Sequence, residues 1–89
     1  MVKLVWDQAF KRKYKKIFTI NAERKKSFWE AVSIFSQNPF DPKLRTHKLT
    51  GKLKGMWSFS VSYDCRVIFR FINDRDVLLI DIGSHDEVY

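Results

Sequence analysis

Residues 57–71 read WSFSVSYDCRVIFRF, and their alternation decides the fold. Trp57, Phe59 and Val61 alternate with Ser58, Ser60 and Ser62, the period of a half-buried strand with one polar face. From residue 65 the alternation resumes, with Cys65, Val67, Phe69 and Phe71 on one side and Arg66, Ile68 and Arg70 on the other. Two such runs this close together make an antiparallel hairpin. A two-residue turn at Tyr63–Asp64 opposes Ser60 to Val67 and mixes the faces. A three-residue loop, Ser62–Asp64, opposes Phe59 to Val67 and Ser60 to Arg66, and keeps the apolar side chains together. The pattern selects the second and predicts Ser58, Ser60, Arg66 and Arg70 on the outer face of the sheet.

The rest of the chain supplies what covers the inner face. Downstream, NDRD (73–76) reads as a turn and VLLIDI (77–82) as a central strand. Upstream, VKLVW (2–6) reads as a strand and Asp7 as a helix cap. Phe10, Tyr14, Ile17 and Phe18 then share one helical face, while Lys11, Arg12, Lys13, Lys15 and Lys16 occupy much of the rest. Asn21 is a second cap, after which Phe28, Ala31, Val32 and Phe35 keep helical spacing to Gln37. NPFDP (38–42) stops that helix, because each proline biases its predecessor away from helix. The expected order is β-α-α-β-β-β. This is an α+β domain spanning 1–89, with an antiparallel helix hairpin packed on a small, mainly antiparallel sheet. Its core should bury Phe28, Val32, Phe35, Phe59, Val67 and Phe69, with Trp57 in or beside it.

Composition narrows the function. The chain is 45% hydrophobic and 16% aromatic, enough to build a core. A single cysteine, Cys65, excludes an internal disulfide and fits a reducing cytoplasm. There is no apolar run of membrane-spanning length and no signal-peptide pattern. The formal net charge is +7, unevenly spread. Residues 1–54 carry fourteen Lys/Arg against four Asp/Glu, and residues 55–89 three against six. That asymmetry favours a polyanionic partner, nucleic acid first.

The segment KLRTHKLTGKLKG (43–55) concentrates this charge. Lys43, Arg45, Lys48, Lys52 and Lys54 stand with His47 and no acid, a phosphate-binding composition, although most such runs are only solvated loops. The segment leads directly into the strand whose polar face opposes Arg66. Arginine suits bidentate phosphate binding and stabilisation of a phosphorane. His85 follows the last strand, so it lies at a sheet end, and a histidine can give or take a proton at neutral pH. Tyr89 can stack on a base. His47, His85 and Cys65 lack metal-ligand spacing, and neither a serine-nucleophile motif nor a glycine-rich phosphate loop is present.

The run HKLTGKLKGMWSFSVSYDCRVIFRF, followed by an acidic turn and VLLIDIGSHDEVY, resembles the RelE/ParE superfamily of bacterial toxins. The nearest branches are the RelE-, YafQ- and YoeB-like toxins of type II toxin–antitoxin modules. The resemblance spans the whole chain and is most specific from His47 to Tyr89. It implies a ribosome-dependent endoribonuclease that cuts mRNA in the A site by 2′-OH attack, with no metal or other cofactor. By the same resemblance, His47 acts as base or holds the 2′-OH, Asp64 orients a histidine and Arg66 holds the scissile phosphate. His85 serves as general acid and Tyr89 stacks on or positions the base. The cationic segment, Lys43, Arg45, Lys48, Lys52 and Lys54, is expected to grip RNA and ribosome, with Lys52 and Lys54 standing in for cations that the pattern has elsewhere. The implied partners are a cognate antitoxin, the ribosome with its mRNA, and operator DNA through the toxin–antitoxin complex. The free toxin is expected to be a cytoplasmic monomer.

Two positions depart from the pattern. Ser60 stands where YoeB- and YafQ-like chains carry Arg or His, and Asp81 where YafQ- and RelE-like chains carry Arg. Two other readings share the fold: a ParE-like toxin that binds gyrase without catalysis, and a degenerate toxin that binds antitoxin and operator. The pair His47 and His85 favours the enzyme.

Overall fold

The computed structural model describes the backbone of residues 1–89 and every side chain except those of Asp86 and Glu87. Strand β1 (Lys3–Trp6) is followed by helices α1 (Gln8–Ile20) and α2 (Ala22–Gln37). Then come the two-residue strand β2 (His47–Lys48), β3 (Trp57–Ser62), β4 (Cys65–Phe71), β5 (Asp76–Gly83) and a final helical turn, α3 (His85–Val88). The sheet order is β1-β5-β4-β3-β2, with β1 parallel to β5 and every other pair antiparallel. The expected order therefore holds, with β2 and α3 added to it.

Both helix caps lie where the side-chain chemistry requires them. The Asp7 carboxylate accepts the Ala9 N–H at 2.8 Å, and the Asn21 carbonyl accepts the Arg24 N–H at 3.1 Å. The helices bury their aromatic faces against β3, β4 and β5. Phe35 stacks on Phe59 at 4.6 Å and meets Phe69 edge-on at 4.9 Å, and all three are inaccessible to solvent. Phe28, Val32 and Val67 join them in the core. Trp57 lies beside that core, half-buried between Phe40 and Phe71.

The hairpin reaches the expected register by a different route. Phe59 opposes Val67 and Ser60 opposes Arg66, yet the turn is the two-residue Tyr63–Asp64, with Ser62 opposite Cys65. The extra residue is Val61, which sits in a β-bulge. The bulge absorbs one residue, so a tight turn and a segregated core coexist. A second irregularity at Ile80 shifts β5 between Leu79 and Asp81. It brings Leu79 and Ile82, three residues apart, onto the same buried face.

The outer face of the sheet is not open along its whole length. Ser58 is 0% exposed, and Ile68 and Val88 are buried outside the main aromatic cluster. They are covered because the chain turns back after β5, and α3 packs on β4 and β5. Arg70 remains exposed on that face, and Ser60 and Arg66 are half-buried.

Candidate active site

The outer face gathers most of the candidate groups. Register places His47 opposite Ser58 across the β2–β3 pair, so the two side chains share a face, as cross-strand neighbours do. Lys48 consequently points the other way. Its Nζ lies 5.4 Å from the centre of the Trp57 ring, a cation–π contact on the core side. Lys48 thus faces away from the Arg66 cleft and lines a separate one with Lys54 and Trp57.

His47 has a defined tautomer. Its Nδ1 lies 2.9 Å from the carbonyl oxygen of Arg45. A carbonyl only accepts, so Nδ1 carries the proton, and Nε2 is the accepting nitrogen of the neutral ring. Arg45 adopts the left-handed conformation, φ 52° and ψ 39°, which is unusual for a side-chain-bearing residue. It closes the short 3₁₀ turn Pro42–Leu44, which Asp41 caps through the Lys43 N–H and which Leu44 anchors in the core. The anchor leaves Lys43 and Arg45 on either side of a buried plug.

Lys43, Arg45 and Arg66 line one cleft of about 380 Å³, together with Ser60 and Ser62. Three cations and no acid surround it, and the serine hydroxyls add hydrogen-bonding capacity. Arg66 is braced from behind. Its Nη1 donates to the carbonyls of Ser62, Tyr63 and Cys65 at 2.8, 3.2 and 3.4 Å. Those bonds fix the guanidinium plane against the bulged turn, and no other nitrogen of Arg66 is engaged among the described residues. Ser60 faces this same cleft.

The final turn brings His85 to the same face. Arg66 pairs with Gly83, two residues before it. His85 and Tyr89, four apart, meet edge to face at 4.4 Å. The Tyr89 hydroxyl donates to Ser58 Oγ at 2.5 Å. Tyr89 is therefore docked by its hydroxyl while the residue stays 42% exposed. His47, Ser58, Tyr89 and His85 form a continuous series across β2, β3 and α3. Ser58 is the member that sequence reasoning missed: strand alternation put it on this face, but a lone serine carries no signal of what it holds.

Two acids are engaged elsewhere. Asp64 pairs with Arg24 of α2 at 2.5 Å and accepts the Ser62 hydroxyl at 3.2 Å. The Arg24 hydrogen bond holds its carboxyl below the usual aspartate value of 3.8. These two bonds tie the β3–β4 turn to the helix hairpin. Asp81 pairs with Lys13 of α1 at 2.6 Å and also accepts the Ile82 N–H at 2.9 Å. The acid at this position thus joins helix to sheet. Lys52 lies in the short turn Gly51–Leu53 and Lys54 follows it, both exposed, on a loop where Gly51 and Gly55 take positive φ. That loop is not part of the Arg66 cleft. Among the described residues, no three His, Cys, Asp or Glu side chains converge as a metal site would require, and no helix is long and apolar enough to cross a membrane.

A family model for YafQ, a bacterial toxin of type II toxin–antitoxin systems, matches residues 2–89. The chain belongs to the YafQ toxin family. Among curated proteins none matches. Solved structures agree on the fold. A metal-bound toxin from Helicobacter pylori superposes with TM-score 0.78 at 23% identity over the whole of both chains. YafQ from Escherichia coli strain BL21(DE3) superposes with TM-score 0.70 at 15% identity, covering 100% of this chain and 99% of that one. The YoeB–YefM complex from Staphylococcus aureus gives 0.76 at 16% identity, covering 96% and 98%. At such identities the YafQ-family toxin shares an architecture with these proteins, and its chemistry rests on its own side chains. The α+β sandwich and the membership in the RelE/ParE superfamily expected from the sequence both hold.

Proposed function

We propose that this YafQ-family toxin is a ribosome-dependent endoribonuclease that cuts mRNA in the A site. The observation that carries the reading is the meeting, on one sheet face, of two histidines and a cleft lined by three cations. His47 has its Nε2 available to take a proton, and His85 stands across Ser58 and Tyr89 from it. Such a pair suits general acid–base transfer without a metal.

In this mechanism a phosphate of the message sits in the Arg66 cleft, against Lys43 and Arg45. His47 Nε2 takes the proton of the ribose 2′-OH as the 2′-oxygen bonds to phosphorus. Arg66 offsets the charge that builds on the phosphorane oxygens. His85 gives a proton to the 5′-oxygen as the P–O5′ bond breaks. The products are a 2′,3′-cyclic phosphate and a 5′-OH. Lys52 and Lys54, on their separate loop, contact the ribosome or flanking phosphates. Tyr89 holds the site together from below and offers its exposed ring to a base.

The surface charge of +7 fits an acidic antitoxin as physiological partner. The structural neighbour YoeB is seen in complex with YefM. In this reading the toxin is a monomer until captured, acts in the cytoplasm where ribosomes are, and meets operator DNA through its own antitoxin complex. Primer extension on mRNA after brief induction tests the reading. Breaks within codons, in frame, support it. Intact messages alongside broken chromosomal DNA would place the protein with the gyrase-binding toxins instead.

A further inference from the structure

Ser58 is fully buried in the middle of a sheet face, beneath a helical turn of only four residues. A buried hydroxyl is retained where it has a partner, and the partner here is the Tyr89 hydroxyl at 2.5 Å. Other contacts of the described residues also hold the turn. Val88 buries its side chain, and the Tyr89 N–H closes the turn on the His85 carbonyl at 3.0 Å. Four residues cannot sustain a helix on their own. The Tyr89 ring in turn meets the His85 imidazole at 4.4 Å with the planes at 83°.

We propose that Ser58 is a positioning residue: by accepting the Tyr89 hydroxyl it fixes the tyrosine ring, and through that ring it sets the place of the His85 imidazole. The inference deepens the nuclease reading and rests on it. It gives Tyr89 a task besides stacking on a base. It also gives the inaccessible hydroxyl of Ser58 a task. Ser58 touches no reacting atom; it acts through Tyr89.

Two variants remove the same bond from opposite ends. Ser58→Ala deletes the acceptor, and Tyr89→Phe deletes the donor while keeping the ring. In the free protein, the ring of Tyr89 displaces the His85 ring-proton resonances in NMR, with Tyr89→Ala as the zero of the scale. Both variants should lose more than half of that displacement while thermal melts confirm that they remain folded. In single-turnover cleavage on programmed ribosomes, each should lower the saturating rate roughly 10- to 100-fold, as a displaced catalytic group does. Ribosome affinity should stay the same. The double variant should be no slower than the slower single variant, because one bond is removed either way. A retained His85 displacement in both variants overturns the proposal, as does a wild-type cleavage rate once that displacement is gone. If Ser58→Ala melts, Tyr89→Phe alone decides by the same two readouts. A wild-type protein that leaves ribosome-bound mRNA uncut overturns the nuclease reading and with it any catalytic role for Ser58, and the NMR comparison still shows separately whether Ser58 holds His85.

Discussion

The Arg45 carbonyl oxygen faces Nδ1 of His47 at 2.9 Å, and the backbone that aims it there is left-handed. A side-chain-bearing residue gives up roughly 1–2 kcal/mol to sit in that region. Strain of this kind collects where a site needs a group pointed in a particular direction.

Arg45→Gly separates the strain from the charge. Glycine takes positive φ without a steric penalty, although it also frees the unfolded chain. Denaturant melts should show stability unchanged or higher by up to ~1 kcal/mol. Cleavage should nevertheless fall, because the cleft loses a cation. A clear loss of stability would mean that the Arg45 side chain, and not its backbone, holds the turn.

Asp64 and Arg24 make a pH-dependent tie. The folded carboxyl is held below 3.8, so the stability it supplies is fully present above that value and is lost as pH falls through the folded value. The gap in melting temperature between wild type and Asp64→Asn should therefore be flat from neutral pH down to about 5 and close below the usual aspartate range. Because about half of the Asp64 side chain is open to solvent, the gap should be small. A gap that persists unchanged at pH 2 would show that the variant acts by some other route.

Phe69 is enclosed by Phe35, Phe59 and Phe71. Phe69→Ala should cost about 3–5 kcal/mol, measured by chemical denaturation. A cost under ~1 kcal/mol would contradict its place at the centre of the core.

Cleavage should rank the candidate groups. His85→Ala and Arg66→Ala should each lose about 10²–10⁴-fold in single-turnover rate, and His47→Ala should fall close behind them. Asp81→Asn should leave the rate nearly intact and lower stability, since its carboxylate is committed to Lys13. If His85→Ala cuts at the wild-type rate, the histidine has no part in the chemistry.

Ribosome binding should weaken with salt. Replacing Lys43 and Arg45 together should reduce the slope of log affinity against log salt by roughly 1.4–1.8, about 0.7–0.9 for each phosphate left without its cation. Lys48→Ala should change the slope less, because that ammonium leans on Trp57. A slope change of about 0.7–0.9 from Lys48→Ala alone would return Lys48 to the docking surface.

Much of the architecture was legible in the chain before folding was considered. The caps at Asp7 and Asn21, the end of α2 at Gln37 and the opposition of Phe59 to Val67 follow from local chemistry and from segregation of apolar side chains, which act over a few residues. His47, Arg66 and His85 were recognisable as candidates by residue type and place. Their surroundings were not. The bulge at Val61 appears only because a tight turn and a segregated core must both be satisfied, and no single residue announces that compromise. The partners of Asp64 and Asp81 lie 40 and 68 positions away, on helices whose lysines and arginines look alike in sequence. The return of α3 over Ser58 was hidden for the same reason. A four-residue turn has no periodicity to read, and the contacts that seat it, the Tyr89–Ser58 bond and the buried Val88 among them, join distant parts of the chain. Local pattern determined the elements and the register of the hairpin. Tertiary structure decided which polar groups became ties between layers and which were left facing the cleft, because charge pairing and burial depend on distances that only the packed chain creates.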